Sequence, residues 1–184
     1  MSLLLNLPRE MPDPIMSPPV LISACLLGVR CRYDGNHSLC KALLDFLPRI
    51  CPVPVCPEQL GGLETPREAV NIIGGHGPDV LAGKAKCINA AGRDVTAEFL
   101  RGAREVLRLA LVTGARVFIG KDKSPSCGYE TPYCEGPGGR GMGVTINLLE
   151  KQGISVMELG PQSPFPVTQF TEILASAYPK DKKE

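Results

Sequence analysis

Three short apolar runs constrain the fold of this 184-residue chain more than any other feature. They read VLISA before Cys25, PVPV before Cys56, and ARVFIG shortly before Cys127. Short runs of this kind are typical of strands buried in a parallel sheet. Because ligands bind at the carboxyl ends of such strands, near a switch in strand order, the three cysteines could meet at one point. Three thiolates there would suit a metal or a cluster with one coordination position left open for a substrate.

Strand-like and helix-like segments alternate along most of the chain. The predicted strands cover residues 20–24, 53–55, 117–119 and 154–159, and the predicted helices cover 39–47, 96–113, 144–152 and 170–178. Ser38 and Thr96 are candidate N-caps, and Gly114 is a candidate helix stop. Pro52 and Pro54 indicate that the second strand is irregular or lies at an edge. The alternation predicts an α/β layered fold with a mainly parallel sheet.

The length predicts one domain, over residues 20–178. Residues 1–19 are rich in proline and lack a period, which predicts a flexible lead, and residues 179–184 form a charged tail. The segment 61–92 is rich in glycine and turn residues and shows no strong period. It is predicted to be a long loop, of the kind that is functional or mobile.

The composition excludes several classes of function. A net charge of +1 implies no broad field for nucleic acid or membrane, and the absence of tryptophan weakens any base-stacking surface. No apolar run is long enough to span a bilayer, and the first residues do not resemble a signal peptide. We therefore expect a cytoplasmic protein, in which eight cysteines are more typical of metal ligands or catalytic groups than of disulfides.

Buried packing is the alternative explanation for each cysteine, since a free thiol packs as a small hydrophobe. The proline, serine and glycine around Cys127 argue against a core position, whereas Cys25 and Cys56 fit either role. No CxxC pair is present to indicate zinc. Among the remaining cysteines, Cys40 lies in a helical run, Cys51 and Cys87 have no motif around them, and Cys31 and Cys134 lie in loops from which either could be a spare ligand.

Four polar motifs are candidates for chemistry, and each has an ordinary structural alternative. Asp34 in RYDG is either part of a turn or a group that orients a substrate. Glu58 in CPE is either a solvated loop residue or a carboxylate that activates water beside a metal site. Arg67 in TPR either belongs to a turn or grips a carbonyl or an anion. The tract KDKSPSC, from Lys121 to Cys127, combines cations, hydroxyls and a thiol that could stabilise an anion or a thiolate.

The combined motifs resemble those of the thiouracil desulfidase family. They are SACLLGVRCRYDG, VCPEQLGGLETPR, the helix start at DVT, and SPSCG followed by a glycine-rich loop and GVT, and they extend from about Val20 to Leu159. The resemblance implies a Rossmann-like, three-layer α/β domain that holds a 4Fe–4S cluster with one iron free. By motif, the cluster ligands are Cys25, Cys56 and Cys127. Cys31 matches a position that is not always cysteine in this family, which argues against it as a ligand.

The resemblance also implies a reaction. Glu58 and Ser124 match positions linked to substrate activation, and Lys121 and Asp34 are candidates to hold the substrate by hydrogen bonds. The expected activity is removal of sulfur from a small thiolated heterocycle such as thiouracil, without net redox change and with release of sulfide. The tract YETPYCEGPGGRG replaces the IYDGTF-like tract of relatives, which leaves open a different substrate. The alternative is a non-catalytic zinc- or cluster-binding module, and the sequence gives no indication of the oligomeric state.

Overall fold

A computed structural model of the protein describes residues 17–179. The predicted flexible lead lies outside the described residues except for residues 17–19, and the predicted charged tail lies outside them except for Pro179. The strands are β1 (Pro19–Ser23), β2 (Cys51–Val55), β3 (Val70–Ile73), β4 (Lys86–Asn89), β5 (Val117–Lys121) and β6 (Ser155–Leu159). The helices are α1 (Lys41–Leu44), α2 (Pro57–Leu60), α3 (Gly77–Leu81), α4 (Thr96–Thr113), α5 (Val144–Lys151) and α6 (Val167–Ala177).

A four-stranded parallel sheet, in the order β2-β1-β5-β6, forms the centre of the fold. The chain leaves β1 for β2 on one side and later returns to β5 on the other side, so the strand order switches between β1 and β5. The predicted edge place of the second strand is confirmed, and the first strand lies inside the sheet, between β2 and β5. Pro52 and Pro54 are tolerated because β2 has only one neighbour in the sheet.

Both faces of the sheet are covered by helices, which explains why the strands are apolar at successive positions. Val20 and Ile22 of β1 pack on one face, where α1 and α6 supply Leu43 and Phe170. Leu21 points to the other face. There it joins a cluster to which α4 and α5 contribute Val106, Ala110, Ile146 and Leu149. The predicted three-layer α/β fold is confirmed.

The long glycine-rich loop predicted over residues 61–92 is wrong in part, because this segment contains regular structure. Strands β3 and β4 form an antiparallel pair, with Ile72 opposite Cys87, and α3 lies between them in sequence. Ile72 and Cys87 are fully buried against Phe99 of α4. The β3–β4 pair forms a sheet separate from the main sheet, and it packs in a third hydrophobic cluster with the first turns of α4 and α5.

Both predicted N-caps are wrong. Helix α1 spans only four residues, with Cys40 at its N-cap, and a separate 3₁₀ turn follows at Leu47–Arg49. Ser38 instead accepts a hydrogen bond from Arg32 Nη1 at 2.6 Å. Thr96 is the first residue of α4, and its Oγ1 accepts a hydrogen bond from the Cys87 backbone N–H at 2.9 Å. The predicted stop is confirmed, since Gly114 ends α4 in the left-handed conformation, with a φ of 71°.

Candidate active site

Three strand-end loops bring Cys25, Cys56 and Cys127 to one cavity of about 190 Å³. Cys25 lies in a 3₁₀ turn directly after β1, and Cys56 is the N-cap residue of α2 directly after β2. Cys127 lies six residues beyond the end of β5. The cavity therefore opens at the carboxyl ends of β1, β2 and β5, beside the switch in strand order.

A fourth thiol also lines the cavity. Cys31 contacts Cys25, and Cys56 packs against the same small cluster. Cys134 is not part of the cavity lining, because its thiol lies 3.3 Å from the Thr131 carbonyl oxygen at the hairpin side of the molecule. Of the two candidate spare ligands, the structure brings only Cys31 to the site. All eight cysteines are free thiols, and Cys40, as predicted, packs in the core.

Three of the four cavity thiols, those of Cys31, Cys56 and Cys127, have raised pKa values. The adjacent Cys25 thiol raises the pKa of Cys31, the Cys56 thiol lowers it and burial raises it, which brings it to about 11. The Cys31 thiol and burial raise the pKa of Cys56. Burial raises the pKa of Cys127, against a smaller lowering by the Ser23 hydroxyl. Thiolates become favourable here when a cationic group supplies compensating charge, and its binding then releases protons.

The donor set fits an iron–sulfur cluster. Thiolates are the usual ligands of 4Fe–4S clusters, and the cavity offers room for a group larger than a single ion. Within residues 17–179, no group of three histidine, cysteine or acidic side chains has the spacing to hold one metal ion.

Glu58 is not a solvated loop residue. It lies in the first turn of α2, lines the cavity, and has a side chain that is only 14% exposed. Its Oε2 accepts hydrogen bonds from Arg67, with Nε at 2.9 Å and Nη2 at 2.7 Å. Within residues 17–179, no side chain bonds the other oxygen, Oε1. The ion pair with Arg67 therefore fixes the orientation of the Glu58 carboxylate relative to the cavity thiols.

Arg67 joins α2 to the loop that follows β1. Its Nη1 and Nη2 each lie 3.2 Å from the carbonyl oxygen of Cys31, and its backbone N–H donates to the Tyr33 carbonyl at 2.8 Å. The guanidinium therefore grips a carbonyl, one of the two roles that the sequence allowed. Its side chain is 8% exposed, and its donors are already used by the protein.

Ser124 and Lys121 both line the cavity, and each already has a bonding role. The Ser124 oxygen accepts hydrogen bonds from the backbone N–H groups of Cys127 at 3.1 Å and Ser126 at 3.3 Å. Ser124 thus shapes the turn that carries Cys127. The Lys121 ammonium donates to Asp122, to Oδ1 at 2.8 Å and to the carbonyl at 2.6 Å.

The structure does not bring Asp34 to the cavity lining. Asp34 pairs with Arg32 at 3.2 Å and accepts a hydrogen bond from the Asn36 backbone N–H at 3.0 Å. The Arg32 guanidinium, as the largest cause, lowers the pKa of Asp34 to about 2. Arg32 itself lines the cavity, so Asp34 can act on the site only through Arg32.

Among the cavity-lining residues that the sequence analysis did not single out are Tyr33, Lys123 and Tyr133. Lys123 has a φ of 49°, and it forms no ion pair within residues 17–179. Its place beside Ser124 in KDKSPSC was the available signal. Tyr133 belongs to YETPYCEGPGGRG, so this divergent tract does contribute to the cavity wall.

Fold and site together define a class: a three-layer, Rossmann-like α/β protein with a thiol-lined cavity at the switch point of its sheet. The chain belongs to the 2-thiouracil desulfurase family, whose model matches residues 20–159. This match confirms the family that the motifs resemble. Within residues 17–179, the helices are all too short or too polar to cross a membrane.

Two known proteins show the similarity in detail. The uncharacterized protein YbbK of Bacillus subtilis (strain 168) is 42% identical over 141 residues, which cover 75% of this chain and 93% of YbbK. The solved structure of the 4Fe–4S-dependent thiouracil desulfidase TudS aligns with a TM-score of 0.67 and 34% identity. That alignment covers 86% of this chain and 99% of the TudS chain.

Proposed function

We propose that this protein is a 4Fe–4S-dependent desulfidase that removes sulfur from a thiocarbonyl compound such as thiouracil. The observation that carries the proposal is the convergence of Cys25, Cys56 and Cys127 on one cavity beside Glu58. Membership of the 2-thiouracil desulfurase family and the similarity to TudS support the same substrate class and cofactor.

Cys25, Cys56 and Cys127 would hold the cluster, one from each strand-end loop. When bound, the cluster supplies an iron with an open position, which can accept the thiocarbonyl sulfur and draw charge from the C=S carbon. The protein contributes the burial that keeps bulk water away from the thiolates, since Cys25 and Cys127 are both buried.

Glu58 would act as the general base. Arg67 holds Oε2, so Oε1 is the oxygen left to accept a proton from the attacking water. The water oxygen forms a bond to the carbon, the carbon–sulfur bond breaks, and the proton taken by Glu58 passes to the departing sulfur. The net reaction is C=S plus water to C=O plus hydrogen sulfide, in which no electrons are gained or lost.

Polar groups on the cavity wall would orient the substrate. The Ser124 hydroxyl lines the cavity and would donate its hydrogen to a ring oxygen or nitrogen. Lys121 is held by Asp122, which makes it a weaker candidate than the sequence alone suggested. Lys123 supplies a cation to the same wall. Tyr33 and Tyr133 provide flat surfaces suited to a heterocycle.

We further propose that residues 20–178 act as one catalytic domain in the cytoplasm. Eight free thiols support a reducing compartment, because disulfides are rare there.

The test is turnover by anaerobically reconstituted protein. With thiouracil, the expected products are uracil and sulfide in equal amounts, and protein without iron serves as the control. Absence of sulfide release across a panel of thiolated bases would overturn the desulfidase proposal.

A second candidate is a non-catalytic metal module. With Cys31, the number of thiols that line the cavity is four, which is the number of ligands in a closed structural zinc site, but within residues 17–179 they are not spaced to hold a single ion. Metal and acid-labile sulfide analysis of protein purified without oxygen separates the two functions. Zinc without sulfide favours the module, whereas iron and sulfide in near-equal amounts favour the enzyme.

A further inference from the structure

The desulfidase mechanism uses three of the four cavity thiols and leaves Cys31 without a role. This side chain is only 2% exposed, contacts Cys25, and lines the same cavity. Cys56 packs against it, and the Cys56 thiol lies 3.7 Å from the Cys31 carbonyl oxygen. Cys31 therefore lies among the predicted cluster ligands, although it reaches the site from a different turn of the β1–α1 loop.

The surrounding protein fixes the Cys31 backbone. Both terminal nitrogens of Arg67 donate to the Cys31 carbonyl at 3.2 Å, and the Cys31 N–H donates to Val29 at 2.9 Å. Arg67 also anchors Tyr33, on the far side of Cys31, through its backbone N–H. With both backbone groups bonded, the thiol is the part of Cys31 that remains for the cavity. Burial of the Arg67 guanidinium costs free energy, because its charge must then be fully hydrogen-bonded. Such a cost is hard to explain if the residue that it holds, Cys31, only fills space.

We propose that Cys31 is a displaceable fourth ligand, which binds the open iron until a substrate arrives. This inference rests on the proposed cluster-dependent function. On binding, the Cys31 thiol loses its proton and its sulfur forms a bond to iron. When the thiocarbonyl sulfur takes that position, the bond from Cys31 to iron breaks and the thiolate regains a proton. Both steps are ligand exchange, so no oxidant or reductant is needed.

A fourth thiolate would protect the cluster between turnovers. Three thiolate anchors leave one iron open to solvent ligands, whereas four surround the cluster with protein sulfur. Cys31 is also connected to the proposed general base, because the guanidinium that holds the Cys31 carbonyl also holds Glu58. Substrate would have to compete with Cys31, so removal of the thiol should tighten apparent substrate binding while making the cluster less durable.

The experiment is Mössbauer spectroscopy of anaerobically reconstituted protein carrying the Mössbauer isotope of iron. The proteins compared are wild type, Cys31→Ala, Cys31→Ser and the control Cys87→Ala, whose thiol is buried in β4 outside the cavity. Wild type and Cys87→Ala should show four similar iron sites without substrate and one distinct site once thiouracil is added. Cys31→Ala should show the distinct site in both conditions and should lose iron to a chelator at least about tenfold faster.

Two outcomes would overturn the inference and leave the desulfidase function intact. One is a distinct iron site in substrate-free wild type, unchanged in Cys31→Ala. The other is a Cys31→Ala or Cys31→Ser protein that folds but holds no cluster, which would make Cys31 a permanent ligand. Wild-type protein without iron and acid-labile sulfide would instead overturn the proposed function itself, and this inference with it.

Discussion

Each predicted ligand reaches the cavity through a different local geometry. Cys25 lies in a 3₁₀ turn, Cys56 is the N-cap residue of a helix, and Cys127 lies in a turn shaped by the Ser124 oxygen. Cys56 and Cys127 have no second cavity-lining thiol on their own loops, whereas Cys31 follows Cys25 on the loop after β1. Loss of Cys56 or Cys127 would therefore remove an anchor that no thiol of the same loop replaces, and loss of Cys25 would leave only the displaceable Cys31 on its loop.

Alanine at Cys25, Cys56 or Cys127 should abolish stable cluster binding, because each change removes one of three anchors. Alanine at Cys40, Cys51 or Cys87 should leave it intact, since none of these residues lines the cavity. Iron and sulfide content after anaerobic reconstitution is the measurement. A full complement of iron in any of the first three variants would show that the ligand set is wrong.

Glu58→Gln should keep the cluster and bind substrate yet turn over on the order of 100-fold more slowly, the usual scale for loss of acid–base help. The change is nearly isosteric and removes the proton acceptor. Glu68→Gln is the matched control, because Glu68 is exposed and does not line the cavity. Turnover and the cluster spectrum should be measured on one anaerobic sample. Wild-type turnover in Glu58→Gln would remove Glu58 from the mechanism.

The sequence could predict which residues line the cavity where the residue type and the position after a strand both pointed to it. That was true of the three cysteines and of Glu58, which follow or nearly follow apolar strands. The bonding of the two lysines could not be predicted in this way, although both line the cavity. The ammonium of Lys121 donates to Asp122, whereas Lys123 has a left-handed backbone conformation with a φ of 49°. Such a backbone conformation is set by the folded loop and leaves no signal in the residue type.

At the scale of elements, the contact between α2 and α4 sets the position of Glu58, which lies in α2. Gly61, just after α2, and Gly102, in the middle of α4, allow the two backbones to touch. A methyl group on Gly102 would lie 1.9 Å from the Pro57 carbonyl oxygen, and one on Gly61 would lie 2.1 Å from the Glu98 carbonyl oxygen. Since these obstacles are backbone atoms, neither can be relieved by a side-chain rotation.

Gly102→Ala should displace α2 and with it Glu58. Overpacking costs about 1–3 kcal/mol, offset by about 1 kcal/mol of helix propensity, so we expect a net loss of up to about 2 kcal/mol. For a chain of this size, that loss lowers the melting temperature by up to about 8 °C. Calorimetry and turnover should be measured together, and both should fall.

Gly92→Ala is the control for the effect of an added methyl group. Gly92 has a φ of 79° and nothing within 4 Å of the added atom, so this change brings backbone strain without a clash. It should cost about 1–2 kcal/mol in stability but leave turnover per folded molecule unchanged. Equal turnover in Gly102→Ala and Gly92→Ala would contradict the proposed coupling between helix packing and Glu58.

Long elements, in which an apolar pattern repeats several times, could be predicted from the sequence, and short elements could not. Helix α4 has 18 residues, enough for a repeated apolar stripe at Phe99, Ala103, Val106, Leu107 and Ala110. All of these are buried except Leu107, which is partly buried. Strands β3 and β4 have four residues each, so an alternating pattern has no length in which to repeat. Their burial depends on α4 and α5, which come later in the sequence. A pattern confined to the segment itself cannot show that contact.

At the scale of the whole molecule, a residue directly after the last helix connects that helix to the first strand. The Tyr178 hydroxyl donates to the Pro19 carbonyl and accepts from the Arg116 backbone N–H. One side chain thus ties the end of α6 to the entrances of β1 and β5. The entrances of these strands are held by protein contacts, whereas the site lies at their opposite, carboxyl ends.

The carboxyl ends of the strands should depend on the cluster for part of their stability. Without it, Cys25, Cys56 and Cys127 are thiols on three separate loops, and with it they are covalently joined through one group. A group bound only by the folded state stabilises it by about 4 kcal/mol at a thousandfold excess over its Kd, which for this chain length raises the melting temperature by about 8–16 °C.

Anaerobic calorimetry of reconstituted and cluster-free protein should show such a difference in melting temperature for wild type and none for Cys127→Ala. The Cys87→Ala protein should behave like wild type in this difference, because its thiol lies in the hairpin cluster. Equal melting temperatures with and without iron in wild type would contradict this prediction, because they would mean that the folded state does not bind the cluster more tightly than the unfolded state.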